Sequence, residues 1–336
     1  MQRAQPPLTE PFRIGDVEIP NRVLLAPLAS IGNWFVRLQA TRHGAGMAVS
    51  EMVSSMALHY GNERTRDEML RIHPEEGPVA IQLFGPDPEA MRTAAAAAAE
   101  AGASIIDINM GCPVRKVLKT GAGAALIESP ENALELARAA IEGSGLPVTV
   151  KLRSGLRSGD RSGFDLALRL VGEAGVSAIG FHPRTANVQH KGKPDYALAR
   201  ELVEALRSRG LQAPLIISGG LRSPEKALYA YTESNADAVM IARGALGNPW
   251  IFGRLTGREQ DVDVDAVVRE MLWLIDCGEQ HWGERRASRN LRKFYPWYLE
   301  RLEIKGRDAD AFQRTETLDE ARELVASIAD RTPVEA

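Results

Sequence analysis

The chain has 336 residues, 44% of them hydrophobic and 25% charged, enough to bury a sizeable core, and its two cysteines exclude a disulfide framework. A net charge of −3 excludes a protein coated in basic surface, though not a local basic patch. MQRAQPPLTEPF lacks the apolar stretch of a signal peptide and no run of about 18 apolar residues occurs, so the chain reads as soluble and cytoplasmic, with no membrane and no obligate protein partner evident.

Residues 12–19, FRIGDVEI, read as two short strands about a Gly15-Asp16 turn, a plug for the bottom of a barrel. A rhythm follows. Short apolar runs at 23–26, 47–50, 79–83, 105–109, 148–152, 178–182, 215–218 and 238–241 read as strands. Helical stretches at 34–43, 89–101, 131–142, 164–174, 197–209 and 224–233 separate most of them. Before 89–101, Asp87-Pro88 fits an N-cap and first helical residue, and Gly102 stops the helix. Eight such alternations imply an α/β fold, a (β/α)8 TIM barrel, with an open doubly wound sheet as the weaker alternative. From about residue 260 the pattern turns to amphipathic helices, at 264–282, 285–303 and 317–330. The expected organisation is a barrel over 1–258 followed by a small C-terminal helical domain over 259–336.

The most informative stretch follows the fourth strand, SIIDINMGCPVRKVLKTGAGAAL at 104–126. The β-branched run stops at Asn109, and Met110, Gly111, Cys112 and Pro113 read as a turn. Cys112 therefore sits on a loop at a strand's carboxyl end, the edge where barrels bind ligands. Taken alone, Cys112 is equally well a small buried hydrophobe. The other strand ends are polar as well: Ser50-Glu51, Gln82, Lys151 and Arg153, and His182 and Arg184. Five polar ends converging on one face must each be solvated, paired or used. The first strand ends differently, in Ala26-Pro27-Leu28-Ala29, where little side-chain bulk lets a flat ring approach. After the last two strands come Ser218-Gly219-Gly220 and Ala242-Arg243-Gly244, where many barrels hold a cofactor phosphate on backbone N–H groups, with Arg243 adding a charge-assisted bond. No GxGxxG opens a helix after the first strand, which argues against a Rossmann-held dinucleotide.

Read together, NRVLLAPLA at 21–29, GAGMAVSEM at 44–52, VAIQLFG at 79–85, DINMGCPVRKV at 107–117, VKLRSG at 150–155, HPRT at 182–185, IARGALGNPWIF at 241–252 and RKFYPWYL at 292–299 resemble the flavin-dependent tRNA-dihydrouridine synthases, most closely their bacterial B-type branch. The resemblance covers nearly the whole chain. It implies a (β/α)8 barrel binding FMN, followed by helices that grip tRNA. It further implies that Pro27, Gln82, Lys151, His182, Gly219, Gly220, Arg243 and Gly244 line the FMN, and that Asn109, with Arg153 and Arg184 nearby, holds the target uracil. NADPH (or NADH) would reduce the flavin, a hydride from its N5 would reach C6 of the uracil, and Cys112 would protonate C5. That role needs a thiol rather than a thiolate, so Arg115 and Lys116 should point to RNA or solvent. Lys151 would stabilise an anionic reduced ring.

A base inside a folded RNA must be extruded before it can be reduced, at a cost of a few kcal/mol that contacts elsewhere must offset. Between Arg285 and Arg314 stand nine Arg or Lys against four acids, and Arg285, Arg286, Arg289, Arg292 and Lys293 are assigned to RNA, with Tyr295, Trp297 and Tyr298 assigned mainly to core. The chain departs from the family at Ser30-Ile31-Gly32-Asn33-Trp34, where a Thr-Asp pair is usual, at Ser218-Gly219-Gly220, where Asn-Gly-Asp is usual, and at Pro183, where glycine is common. Two other readings remain: a dihydropyrimidine or dihydroorotate-type dehydrogenase, and a non-catalytic RNA-binding barrel.

Overall fold

The computed structural model describes residues 5–258 and 261–331. The start of the N-terminus, the expected domain boundary at 258–259 and the last five residues touch or lie outside the described residues. Two short strands, β1 (Phe12–Ile14) and β2 (Val17–Ile19), form an antiparallel hairpin at the start. Eight parallel strands then close into a barrel: β3 (Val23–Leu25), β4 (Met47–Val49), β6 (Val79–Phe84), β7 (Ile105–Met110), β8 (Val148–Arg153), β9 (Ala178–His182), β10 (Leu215–Ser218) and β11 (Ala238–Ile241). β11 pairs with β3, and β4 pairs with β6 in the register Ala48↔Val79, so the ring has no gap. The short β5 (Val53–Ser54) extends this seam on the far end of β6. The eight strands fall where the apolar runs place them, because a strand buried on both faces carries a near-continuous apolar sequence.

Two layers hold the barrel. Inside its lower half, Phe12, Ile14 and Ile19 of the hairpin pack against Leu24, Met47, Ile105, Ile216 and Met240. Outside, the strands pack on α1 (Trp34–Arg42), α3 (Pro88–Glu100), α5 (Pro130–Ser144), α6 (Ser162–Ala174), α7 (Tyr196–Ser208) and α8 (Pro224–Ser234). Asp87 caps α3 by accepting from the Ala90 N–H, with Pro88 in its first turn. The alanines of α3 let it approach α5 closely: a Cβ added to Gly143 would meet the Arg92 carbonyl oxygen.

Several short elements escape a periodicity reading. α2 (Ser55–His59), a π-helical turn at Thr65–Met69, α4 (Arg115–Leu118) and α9 (Ile251–Leu255) are each too short to show a helical period. The C-terminal region contains α10 (Val264–Trp282), α11 (Glu284–Leu291), α12 (Tyr295–Arg301), α13 (Arg307–Arg314) and α14 (Leu318–Arg331). The single helix expected over 285–303 is thus two. Pro296 lies in the first turn of α12, where its missing N–H costs nothing, and it would disrupt a helix running through it. A buried polar cluster ties these helices to the barrel: Gln39 of α1 donates to Glu270 of α10 at 2.8 Å, exchanges hydrogen bonds with the Tyr298 hydroxyl of α12, and His43 lies 3.0 Å from the other Glu270 oxygen.

Candidate active site

The carboxyl ends of the barrel strands open into a cavity of 560 Å³. Its lining includes Pro27, Gln82, Asn109, Cys112, Lys151, Arg153, His182, Arg184, Gly219, Gly220, Arg243 and Gly244. The barrel brings these together because side chains alternate along each strand, so every second residue near the top faces inward.

β7 runs one residue further than the apolar run suggests, through Met110, because Asn109 pairs with Lys151 and Met110 with Leu152 of β8. The turn follows. Asn109 Oδ1 accepts from the N–H groups of Gly111 at 3.2 Å and Cys112 at 2.9 Å, so the amide side chain shapes the turn that carries the thiol. From the other side, the Ala124 N–H donates to the Cys112 carbonyl at 3.1 Å. Gly123 makes that approach possible: its φ is +65°, and a Cβ there would lie 2.7 Å from the Cys112 carbonyl oxygen. The GAGAAL string is thus the support of the cysteine turn. Cys112 is half-buried, whereas Arg115 and Lys116 are exposed on α4.

Across the cavity the chemistry is cationic. The Lys151 ammonium lies 3.3 Å from Ser218 Oγ, and burial, with Arg153 nearby, brings its pKa down to about 8. His182 is held well below its ordinary value by burial and by the charges of Lys151, Arg153 and Arg184. A guanidinium can only donate, so the 3.1 Å contact from Arg184 makes His182 Nε2 an acceptor and leaves the ring proton on Nδ1. Arg184 also donates to the Gly192 carbonyl at 2.7 Å, while its Nε is buried with no partner among the described residues. Arg153 is committed to carbonyls of Gly111, Thr185 and Gln189, so it braces the turn and the loop after β9.

The basic residues of the C-terminal helices divide. Arg285, Arg289 and Arg292 line a separate hollow of 630 Å³ with Glu284, Ser288 and Glu316. Arg292 spends its guanidinium on the Thr315 carbonyl, bracing the end of α11 against the end of α13. Arg286 pairs with Glu68 through its two terminal guanidinium nitrogens, at 2.9 and 2.8 Å. Lys293 donates to the carbonyl of Ser30, which stands between the cavity-lining Ala29 and Ile31. Ser30 has a φ of +62°, and its N–H is bound by Glu51 Oε2 at 2.8 Å, so this unusual loop is held from both sides. Burial raises the Glu51 pKa against the Ser30 hydrogen bond and the Lys293 charge.

Several lining residues escaped the sequence reading. His190, on the loop after β9, stacks toward His182 with ring centroids 6.1 Å apart, and burial and neighbouring arginines lower its pKa to about 4. Its signal was a polar, glycine-bearing loop at a strand's carboxyl end. Arg222 joins Arg243 at the same rim. Trp297 of α12 forms part of the wall, whereas its neighbours Tyr295 and Tyr298 are core.

The family model described as "Dihydrouridine synthase (Dus)" matches residues 24–331. tRNA-dihydrouridine synthase B of Pasteurella multocida is 34% identical over 301 residues, 87% of this chain and 88% of that protein. The protein of the same name from Shewanella oneidensis is 34% identical over 320 residues, 94% of this chain and 97% of its own. Among solved structures, morphinone reductase in complex with tetrahydroNAD superposes with a TM-score of 0.53 at 20% identity, over 78% of this chain and 94% of that one, a likeness of fold.

Proposed function

The chain belongs to the dihydrouridine synthase family, and we propose that it reduces the C5–C6 double bond of particular uracils in tRNA to dihydrouridine, using bound FMN with NADPH or NADH as reductant. The observation that carries this reading is one cavity in which an amide and a thiol, Asn109 and Cys112, face a cationic, glycine-lined rim.

The residues present suit a flavin mononucleotide. The Ala26-Pro27-Leu28 segment offers a wall without bulk, and Gln82 and Lys151 offer donors to the polar edge of a ring. Arg184, with its unpartnered buried Nε, and Arg222, Arg243, Gly219, Gly220 and Gly244 form a donor set matched to a phosphate. When bound, the flavin supplies the hydride that is added to C6 of the base, and the nicotinamide restores it.

The chain's own residues do the rest. Asn109 keeps its Oδ1 on the turn and presents amide N–H to the cavity, where a uracil carbonyl can accept. Cys112 Sγ carries the proton for C5, and the turn fixed by Asn109 and Ala124 holds it in place. His182, neutral with its proton on Nδ1, can donate to a ring acceptor without adding charge. Lys151 would stabilise negative charge on a bound flavin. Residues 1–258 act as the catalytic barrel and 259–336 as the unit that grips tRNA, with Arg285 and Arg289 free to meet phosphate.

The test is mass spectrometry of nucleosides from an unmodified tRNA transcript incubated with protein, FMN and NADPH. A uridine heavier by two hydrogens is expected, and Cys112→Ala should lower the rate by at least about a hundredfold. No such nucleoside, from protein that binds reducible flavin, overturns the tRNA assignment.

A further inference from the structure

Asp107 lies on β7 two residues before Asn109, on the same face of the strand, and is 3% exposed. Its Oδ1 accepts from the Thr149 hydroxyl at 2.6 Å, and its Oδ2 from Gln82 Nε2 at 2.6 Å. Gln82 Oε1 in turn accepts from Asn109 Nδ2 at 2.9 Å, and Asn109 Oδ1 accepts from the N–H groups of Gly111 and Cys112. A continuous chain of hydrogen bonds therefore runs from a buried carboxylate to the backbone of the cysteine turn.

The ends of that chain dictate its direction. The two backbone N–H groups can only donate, so Asn109 must turn its oxygen to them and its nitrogen to Gln82. Gln82 must then answer with oxygen, which leaves its own NH2 in need of an acceptor. Asp107 is that acceptor. An apolar side chain there strands a buried N–H and frees the Gln82 amide to turn, which leaves Asn109 held by the two backbone N–H groups alone. Burial pushes the Asp107 carboxyl up to about 6, against the hydrogen bonds from Gln82 and Thr149 and the charge of Lys151, so at neutral pH it is mostly ionised and accepts at both oxygens.

We propose that Asp107 is a positioning residue for the reaction: as the terminal acceptor of the Asp107–Gln82–Asn109 chain it holds the Gln82 amide in the orientation that receives Asn109 Nδ2, and thereby steadies the turn that carries Cys112. The inference rests on the function proposed above only for the role given to the thiol.

The experiment is alkylation of the full-length protein by iodoacetamide at one fixed pH without RNA, with Cys112 followed by peptide mass spectrometry and the buried Cys277 as internal reference. Asp107→Leu, which keeps bulk and loses the acceptor, should raise the Cys112 rate about fivefold, the weight of one hydrogen bond. Asp107→Asn retains an acceptor oxygen for Gln82 and should stay within about twofold of the native rate. Should the leucine variant fail to fold, Gln82→Met breaks the same chain one member later and carries the same expected rise. An unchanged Cys112 rate in a folded Asp107→Leu or Gln82→Met protein overturns the proposal. So does an Asp107→Asn protein as fast as the leucine variant. Because no RNA is present, neither result depends on whether tRNA is the substrate.

Discussion

Asn109 and Cys112 were legible as a pair because two local rules agree: an apolar β-branched run must end at a polar residue, and Gly-x-Pro cannot continue it. Lys151 and His182 were legible for the same reason, as polar residues closing apolar strands. Trp297 and His190 were not. A tryptophan on a helix far along the chain gives no local sign of the barrel mouth it will face, and aromatics at helical spacing usually mean core, as Tyr295 and Tyr298 do. The lowered pKa of Lys151 makes a residue-level prediction. The cation is present below about 8 and is lost as pH rises through that value, so affinity for flavin should fall above it. Fluorescence titration of FMN across about pH 6.5 to 9.5 should show that decline. Lys151→Met should bind at least about tenfold more weakly at neutral pH and show no such decline, as expected when a hydrogen bond to a charged group is lost.

The barrel strands are the elements sequence describes best, because burial on both faces writes an apolar run directly into the chain. The C-terminal helices are described less well. The break between α11 and α12 turns on Pro296, yet Phe294 and Tyr298 keep an apolar spacing that reads as one continuous face. What joins those helices to α1 is polar and invisible to periodicity: Gln39, His43, Glu270 and Tyr298. Burial opposes ionisation of Glu270, but its bonds with His43 and Gln39 prevail and hold its pKa below the ordinary 4.5. A depressed carboxyl contributes stability that is fully present above its unfolded value and is lost as pH falls through the folded one. Glu270→Ala should therefore cost about 3 kcal/mol in urea unfolding at neutral pH, by leaving His43 and Gln39 without their acceptor. The difference from native should shrink as pH falls below about 4.5.

For the molecule as a whole, a net charge of −3 conceals an uneven distribution. The exposed Arg285 and Arg289 lie beside a hollow on the helical face, while Arg286 and Lys293 are already engaged with Glu68 and with the Ser30 loop. The sequence counted these cations alike, since a charge count cannot tell a free guanidinium from a braced one. Binding of tRNA should therefore weaken in Arg285→Ala and Arg289→Ala, each lowering the slope of log affinity against log salt by about 1. Arg292→Ala should instead destabilise the packing of α11 and leave that slope nearly unchanged, both readable by filter binding across a salt series alongside thermal melts.

Trp297 belongs to the helical unit yet finishes the wall of a cavity whose other sides come from the barrel, and Lys293 fastens the same unit to the Ser30 loop. The two units are therefore not interchangeable cassettes. Grafting the helices of one relative onto the barrel of another would change the wall of this cavity along with the proposed RNA-binding face.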